Sequence, residues 1–422
     1  MQRTPAGADP GRQLGSVPLA APPFERYRSW AVARRGPLAS LAVATGLAAL
    51  LRQPALVETA YAAWASPSLV RLVAAASGSV PFGLAEPVMA LGLAWLMWPV
   101  LTAVRPMLAA PSPRSAGRAL VRGGADAALR CGLIAGWFYL AWGLNYARAP
   151  LVERQGWSAL AADARPADAA LTELVALCNA WVDHANQAYL ALHGIADAGR
   201  PTALAEAAPD GIAMAWAALD AVLDEGFRIA AGELREGPSF AAPRGPSKPV
   251  RASPAMSGMR LAGFFFPWTG EANVNRLMPP FQLPQTMAHE KAHQRGIASE
   301  DEANFVGFLA AIRSPSPIAR YSGHLFAQRQ LLSELCARDG AACQAQIARR
   351  LPGVQRDVDA ARAFWARFDG PAAKAHERVN DAYLELNGVA GGVDSYAESA
   401  RLIVTWVRAG ALVDGHAVVR RP

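Results

Sequence analysis

Residues 289–293 read His-Glu-Lys-Ala-His, and this pentapeptide constrains the chain more than any other feature. Side chains four apart share one face of an α-helix, so His289 and His293 can bind one metal ion only if the segment is helical. Glu290 then projects toward the open coordination position, where a general base is needed. Pro284 suits the first turn of such a helix, and Gly296 suits its end. The chain holds only seven histidines, so two at this spacing around a glutamate carry weight. The other five, His184, His193, His324, His376 and His416, are isolated and read as surface or core residues.

A catalytic zinc site uses three protein ligands and keeps one position open. Downstream of Gly296 the chain continues Ile297-Ala-Ser299-Glu300-Asp301-Glu302-Ala303-Asn304-Phe305. Ser299 predicts the cap of a second helix, and acidic residues in its first turn suit the helix dipole. Glu300 is the expected third ligand, with Glu302 as the alternative. Asn304 lies four residues after Glu300 on the same face. It is expected to hold a metal-bound imidazole through its side-chain oxygen. One Zn2+ per chain follows.

Apolar residues make up 52% of the chain and charged residues 18%, less charge than soluble domains carry. The excess lies partly in three segments, Pro37–Leu51, Ala85–Val104 and Cys131–Ala147. A membrane-crossing helix needs about 20 residues, with about 17 as a minimum, so the second and third qualify and the first is marginal. The expectation is a disordered basic tail over residues 1–35, then three transmembrane helices over residues 36–147. Net charge is +7. The arginines crowd before the first segment and again at Arg105, Arg114, Arg118, Arg122 and Arg130, beside apolar runs. That arrangement points to a lipid bilayer and not to nucleic acid. The positive-inside rule puts the amino terminus and the second loop in the cytoplasm. Three crossings then put residues 148–422 on the periplasmic side of a bacterial inner membrane. If the first segment does not span, that domain lies inside.

From residue 148 the chain reads as a mainly helical, zincin-like domain with a small β element. Ala169–Leu192 and Gly211–Leu234 show helical apolar spacing, and helical periodicity resumes at Pro284. Gly258–Gly270 is the best strand candidate, ending at Pro267. Cys336 and Cys343 flank a short turn. A disulfide in an oxidising compartment and two packed thiols are both open readings.

Glu300-x-x-Ala303-Asn304 is similar to the Glu-x-x-Ala-Asp signature of membrane gluzincins of the CAAX-prenyl-protease and heat-shock membrane-protease type. The resemblance implies that Glu300 is the third ligand and that Asn304 supports a ligand histidine. Asn replaces Asp here, so that support is neutral. The chain also resembles a bacterial membrane family known only as a domain of unknown function, over residues 40 to 405. The resemblance is carried by Trp142–Arg148, Phe266–Asn275, His289–Phe305, Tyr321-Ser-Gly323, Asn380–Leu384 and Ser395-Tyr396. It implies three amino-terminal spans and a zinc peptidase domain, and names no substrate.

The expected activity is therefore that of an endopeptidase on a peptide or protein substrate, with metal-activated water as nucleophile and Glu290 as general base. Phe264–Asn275 is the candidate edge strand for pairing with an extended peptide. Glu271, Asn273 and Asn275 are candidates to orient substrate or brace the motif helix, and Tyr396 to donate to an oxyanion. A packed turn and a buried hydrogen-bonding tyrosine are the alternatives for those residues. The alternatives for the whole chain are a zinc-stabilised receptor or scaffold and a peptidase-like signal transducer. Glu290 favours catalysis, because a structural site has no use for a base.

Overall fold

The structure is a computed structural model that describes residues 32, 34–51, 53–162, 171–202, 209–386, 395–410, 412–413 and 416–417. The tail expected over residues 1–35 falls outside these, save its last few positions. The first apolar segment forms α1 (Arg35–Leu51). A π-helical stretch, Val57–Ala65, leads into α2 (Ser66–Gly78). The second apolar segment forms α3 (Ala85–Leu108), and the third joins the longer α4 (Pro113–Ala141).

α4 packs against both α1 and α3. Gly132 and Gly136, four apart on α4, meet Leu41 and Ala44 of α1, so the two helices run in the same direction. Small residues at this spacing let helices approach closely in lipid. The outer face of α3 is apolar: Leu91, Leu93, Trp98 and Leu101 are each more than half exposed.

Among the described residues, only α3 is both long and apolar enough to cross a membrane, which corrects the expectation of three spanning helices. The reasons are local. α1 has 17 residues, or about 25 Å of helix against a hydrocarbon core of about 30 Å. α4 is long, but Arg114, Arg118, Arg122, Asp126 and Arg130 occupy its first two-thirds. Its apolar remainder ends at Ala141. The chain then turns into a 3₁₀ segment, Gly143–Ala147, whose Leu144 and Asn145 are buried.

Among the described residues the rest is helical apart from a three-stranded sheet and a short ladder pairing Leu412–Val413 with His416–Ala417. α5 (Leu171–His193) and α6 (Pro209–Glu233) lie where the periodicity expected them. β1 (Ser247–Val250), β2 (Gly263–Phe266) and β3 (Glu271–Asn275) follow. Their order is β1-β3-β2, with β1 parallel and β2 antiparallel to β3. The strand expected over Gly258–Gly270 is thus only four residues long. The chain before it turns through Arg260, whose φ of 56° no strand permits. Nor is Phe264–Asn275 one edge strand, since β3 is central and β2 alone of the two is an edge.

Next come α7 (Leu283–Gln294), α8 (Glu300–Arg313), α9 (Pro317–Arg338) and α10 (Gly340–Ile347). α11 (Pro352–Ala366), α12 (Pro371–Leu386) and α13 (Ser395–Arg408) are the last of the longer helices among the described residues. Past its first turn α8 has no polar face, and Phe305, Phe308, Leu309 and Ala310 are fully buried. Such a helix belongs inside a core, and α6, α7, α9 and α13 surround it. Cys336 of α9 is disulfide-bonded to Cys343 of α10.

Candidate metal centre

The histidine motif occupies α7, which has Pro284 in its first turn. Gly296, just past the helix, adopts a φ of 82°, the left-handed conformation that commonly ends helices. The helix is gripped from behind. Lys291 is fully buried and donates to both carboxylate oxygens of Asp220 at 2.9 Å, with Asp224 at 3.1 Å. Arg295 donates to Asp224 at 2.7 Å and lies 3.8 Å over the Phe227 ring. Buried charges persist only when paired, so this quartet fixes the rotation of α7 about its axis. The sequence reading missed it. Its signal was there, in two acids four apart on α6 and two bases four apart on α7.

The opposite face carries the candidate site. His289 Nε2 and His293 Nε2 lie 3.1 Å apart. Glu300 approaches them at 3.2 Å (His289) and 3.5 Å (His293). Their ligand atoms all lie within 4.8 Å of one another. α8 brings Glu300 this close because Gly307 has no side chain. A Cβ there would stand 2.8 Å from the backbone nitrogen of His289.

Of the two candidate carboxylates, the structure brings only Glu300 to the imidazoles. Glu302 turns away, accepts from the Leu151 amide at 2.5 Å and faces Arg154 at 3.5 Å. Asn304 does not hold an imidazole, contrary to expectation. One turn of α8 carries it about 6 Å along the axis from Glu300, where its amide donates to Ser399 of α13. His293 is instead oriented by the Ile297 carbonyl, 2.7 Å from Nδ1. With Nδ1–H so engaged, the neutral ring presents the Nε2 lone pair to the cluster. His289 Nδ1 is buried without a partner among the described residues.

Glu290 is 4% exposed and abuts β2 at Gly263. A Cβ at Gly263 would fall 2.6 Å from Glu290 Oε1, so the strand makes room for the carboxylate by omitting a side chain. Burial pushes the Glu290 carboxyl up to about 7, against the pull of both imidazoles. For His293 burial favours the neutral ring, but Glu300 and Glu290 outweigh it and push the imidazole up to about 9. Burial also opposes the Glu300 carboxylate. The two histidines reverse that and hold it well below the usual range.

Glu271, Asn273 and Asn275 are buried and serve the scaffold. Glu271 accepts from the Leu84 and Ala85 amides at 3.0 and 2.8 Å, capping α3, and from Thr269. Asn273 donates to the Glu271 carbonyl, and Asn275 donates to Ser257 and to the Leu261 carbonyl. Tyr396 lies in the first turn of α13, and its side chain is outside the described residues.

A cavity of about 1110 Å3 opens over His289, Glu290, His293 and Glu300. Phe138, Trp142 and Tyr146 from the end of α4 form one wall, and Phe264 and Phe265 of β2 another.

A family model described as a protein of unknown function (DUF3810) matches residues 61–404. The chain belongs to this family. The DUF3810 match reaches from the π-helical stretch to α13, a range that takes in α3, α4 and all four residues of the cluster. No curated protein and no solved structure matches the chain.

Proposed function

We propose that this DUF3810 protein is a membrane-anchored, zinc-dependent endopeptidase. The convergence of His289, His293 and Glu300 beside a buried Glu290 carries the reading. Two imidazole Nε2 atoms and a carboxylate, all close together, are a donor set that zinc takes. A bound zinc ion would supply Lewis-acid polarisation of the scissile carbonyl and make a water acidic. Glu290 accepts the proton from the attacking water and passes it to the leaving amine. A base with a pKa near 7 is matched to that exchange. The peptide lies along β2, an edge strand whose Gly263, Phe264 and Phe265 line the cavity. Glu300 as ligand from the following helix agrees with the resemblance to membrane gluzincins.

The anchor is α3, with α1 and α4 packed beside it. α3 begins at its cap on Glu271, and α4 returns to Trp142 beside the cluster. Arg105 near the end of α3 and Arg114, Arg118 and Arg122 in the first part of α4 therefore lie toward the far end, and α4 recrosses beside α3 with Asp126 paired to Arg34 and Arg130 over the Trp95 ring. By the positive-inside rule that end is cytoplasmic, which puts the cluster on the periplasmic side of a bacterial inner membrane. The Cys336–Cys343 disulfide favours the same oxidising side.

The test compares wild type with Glu290→Gln at equal abundance, by zinc content and by proteomics of the membrane fraction. Normal zinc with accumulation of uncleaved proteins is expected. A wild-type proteome in the variant would sink the peptidase reading.

A further inference from the structure

The far wall of the cavity is cationic. Arg260, Arg329, Arg350 and Arg362 line it. Beyond Glu290 and Glu300, the one carboxylate among the described lining residues is Asp369, which pairs with Arg260. Arg350 is 9% exposed and has only neutral side-chain partners, the Gln328 and Gln355 oxygens at 2.8 and 3.0 Å. Its Nη2 has no hydrogen-bond partner among the described residues. Arg362 reaches Asp359 at 3.5 Å, one turn away and in solvent, a pair worth little. Burial, then Arg362 and Arg329, push the Arg350 guanidinium down to about 10. On the same wall Gln330 is 3% exposed, and its amide nitrogen is unpartnered. Arg350 and the Gln330 amide thus offer donors that no carboxylate meets among the described residues; an incoming anion stabilises them, and planar guanidinium matches a carboxylate in two parallel bonds.

We propose that this wall is a subsite for an acidic side chain of the substrate, so that peptides with Asp or Glu a few residues from the scissile bond are selected. The inference rests on the peptidase reading and names its substrate class. The probe is a series of peptide hydroxamates, with Glu placed one to four residues from the hydroxamate and a Gln twin for each. The hydroxamate reports the metal, and the Glu–Gln difference reports the arginines. On the zinc-loaded, full-length protein, the Glu twin is expected to bind about tenfold to a hundredfold tighter at one spacing. Arg350→Gln is expected to erase that advantage, and exposed Arg362→Gln, which tests the wall without disturbing buried packing, to reduce it severalfold. Equal binding of both twins at every spacing overturns the subsite while leaving the metal intact. So does an advantage that survives both variants. Failure of every hydroxamate to bind overturns the metal reading, and the subsite falls with it.

Discussion

The indole N–H of Trp142 donates to the carbonyl oxygen of His293 at 2.9 Å. The carbonyls of a helix's last turn lack intrahelical partners, and here one of them is met by the residue that ends α4. The same indole packs edge-on against the His293 ring, 6.0 Å between centroids. The apolar amino-terminal helices are thus joined directly to the helix that carries the histidines.

The purified protein is expected to hold one zinc ion per chain, and His289→Ala, His293→Ala or Glu300→Ala to lose it. Glu302→Ala is expected to keep its zinc but to melt earlier, because the Leu151 amide and Arg154 lose their acceptor. Elemental analysis beside thermal unfolding separates the two effects. Zinc lost from Glu302→Ala and kept by Glu300→Ala would reverse the assignment.

Gly307→Ala tests how the cluster is assembled. The new methyl would press on the backbone of His289, which cannot rotate away as a side chain could. The expected cost is about 1–3 kcal/mol, with weaker zinc binding as α8 is pushed off α7. Gly232→Ala is the control, since nothing lies within 4 Å of a Cβ there. Equal zinc affinity in both variants would remove the role given to Gly307.

Zinc binding should depend on pH through His293. Its imidazole is raised to about 9, so its contribution to metal-free stability is full below about 6.5 and is lost as pH rises through 9. Zinc and the proton compete for the same nitrogen. Affinity should therefore rise by up to about tenfold per pH unit toward pH 9 and flatten above it, with Glu300 ionised throughout. Chelator competition between pH 6 and 10 measures this, and a flat profile below pH 8 would contradict it.

Lys291→Met should destabilise the protein by about 3–5 kcal/mol, because Asp220 and Asp224 lose a buried counter-charge. Adding Asp220→Asn should recover part of that loss in a double-mutant cycle. Chemical denaturation gives both numbers, and additive losses would mean that the two residues do not act as a pair.

The site was legible where chemistry depends on spacing along one helix. His289, Glu290 and His293 needed only the helical repeat, and Glu300 needed only the start of the next helix, where Ser299 takes the N-cap position but gives its hydroxyl to Asp301 instead of capping. Asn304 was misjudged because the partner of a polar side chain one turn on is decided by whichever helix passes, here α13 with Ser399. Gly263 and Gly307 escaped notice because each works through an absent side chain, which no pattern of polar residues reveals. The helices after residue 148 followed their apolar period, while the expected spans did not. Hydropathy read the run from Cys131 to Ala147 as one segment, and the backbone breaks it at Trp142 to meet His293.

Glu271 caps the first turn of α3 from β3, and β3 pairs with β2 at Gly263, the glycine against Glu290. Val274, the partner of Gly263, is three residues from Glu271, a span of about 10 Å along the strand. On the proposed peptidase reading, with α3 in a bilayer, that span would act as a ruler. Glu290 would stand at one height above the lipid, and a tethered chain would be cut where its length, counted from its own anchor, brings a peptide bond level with it.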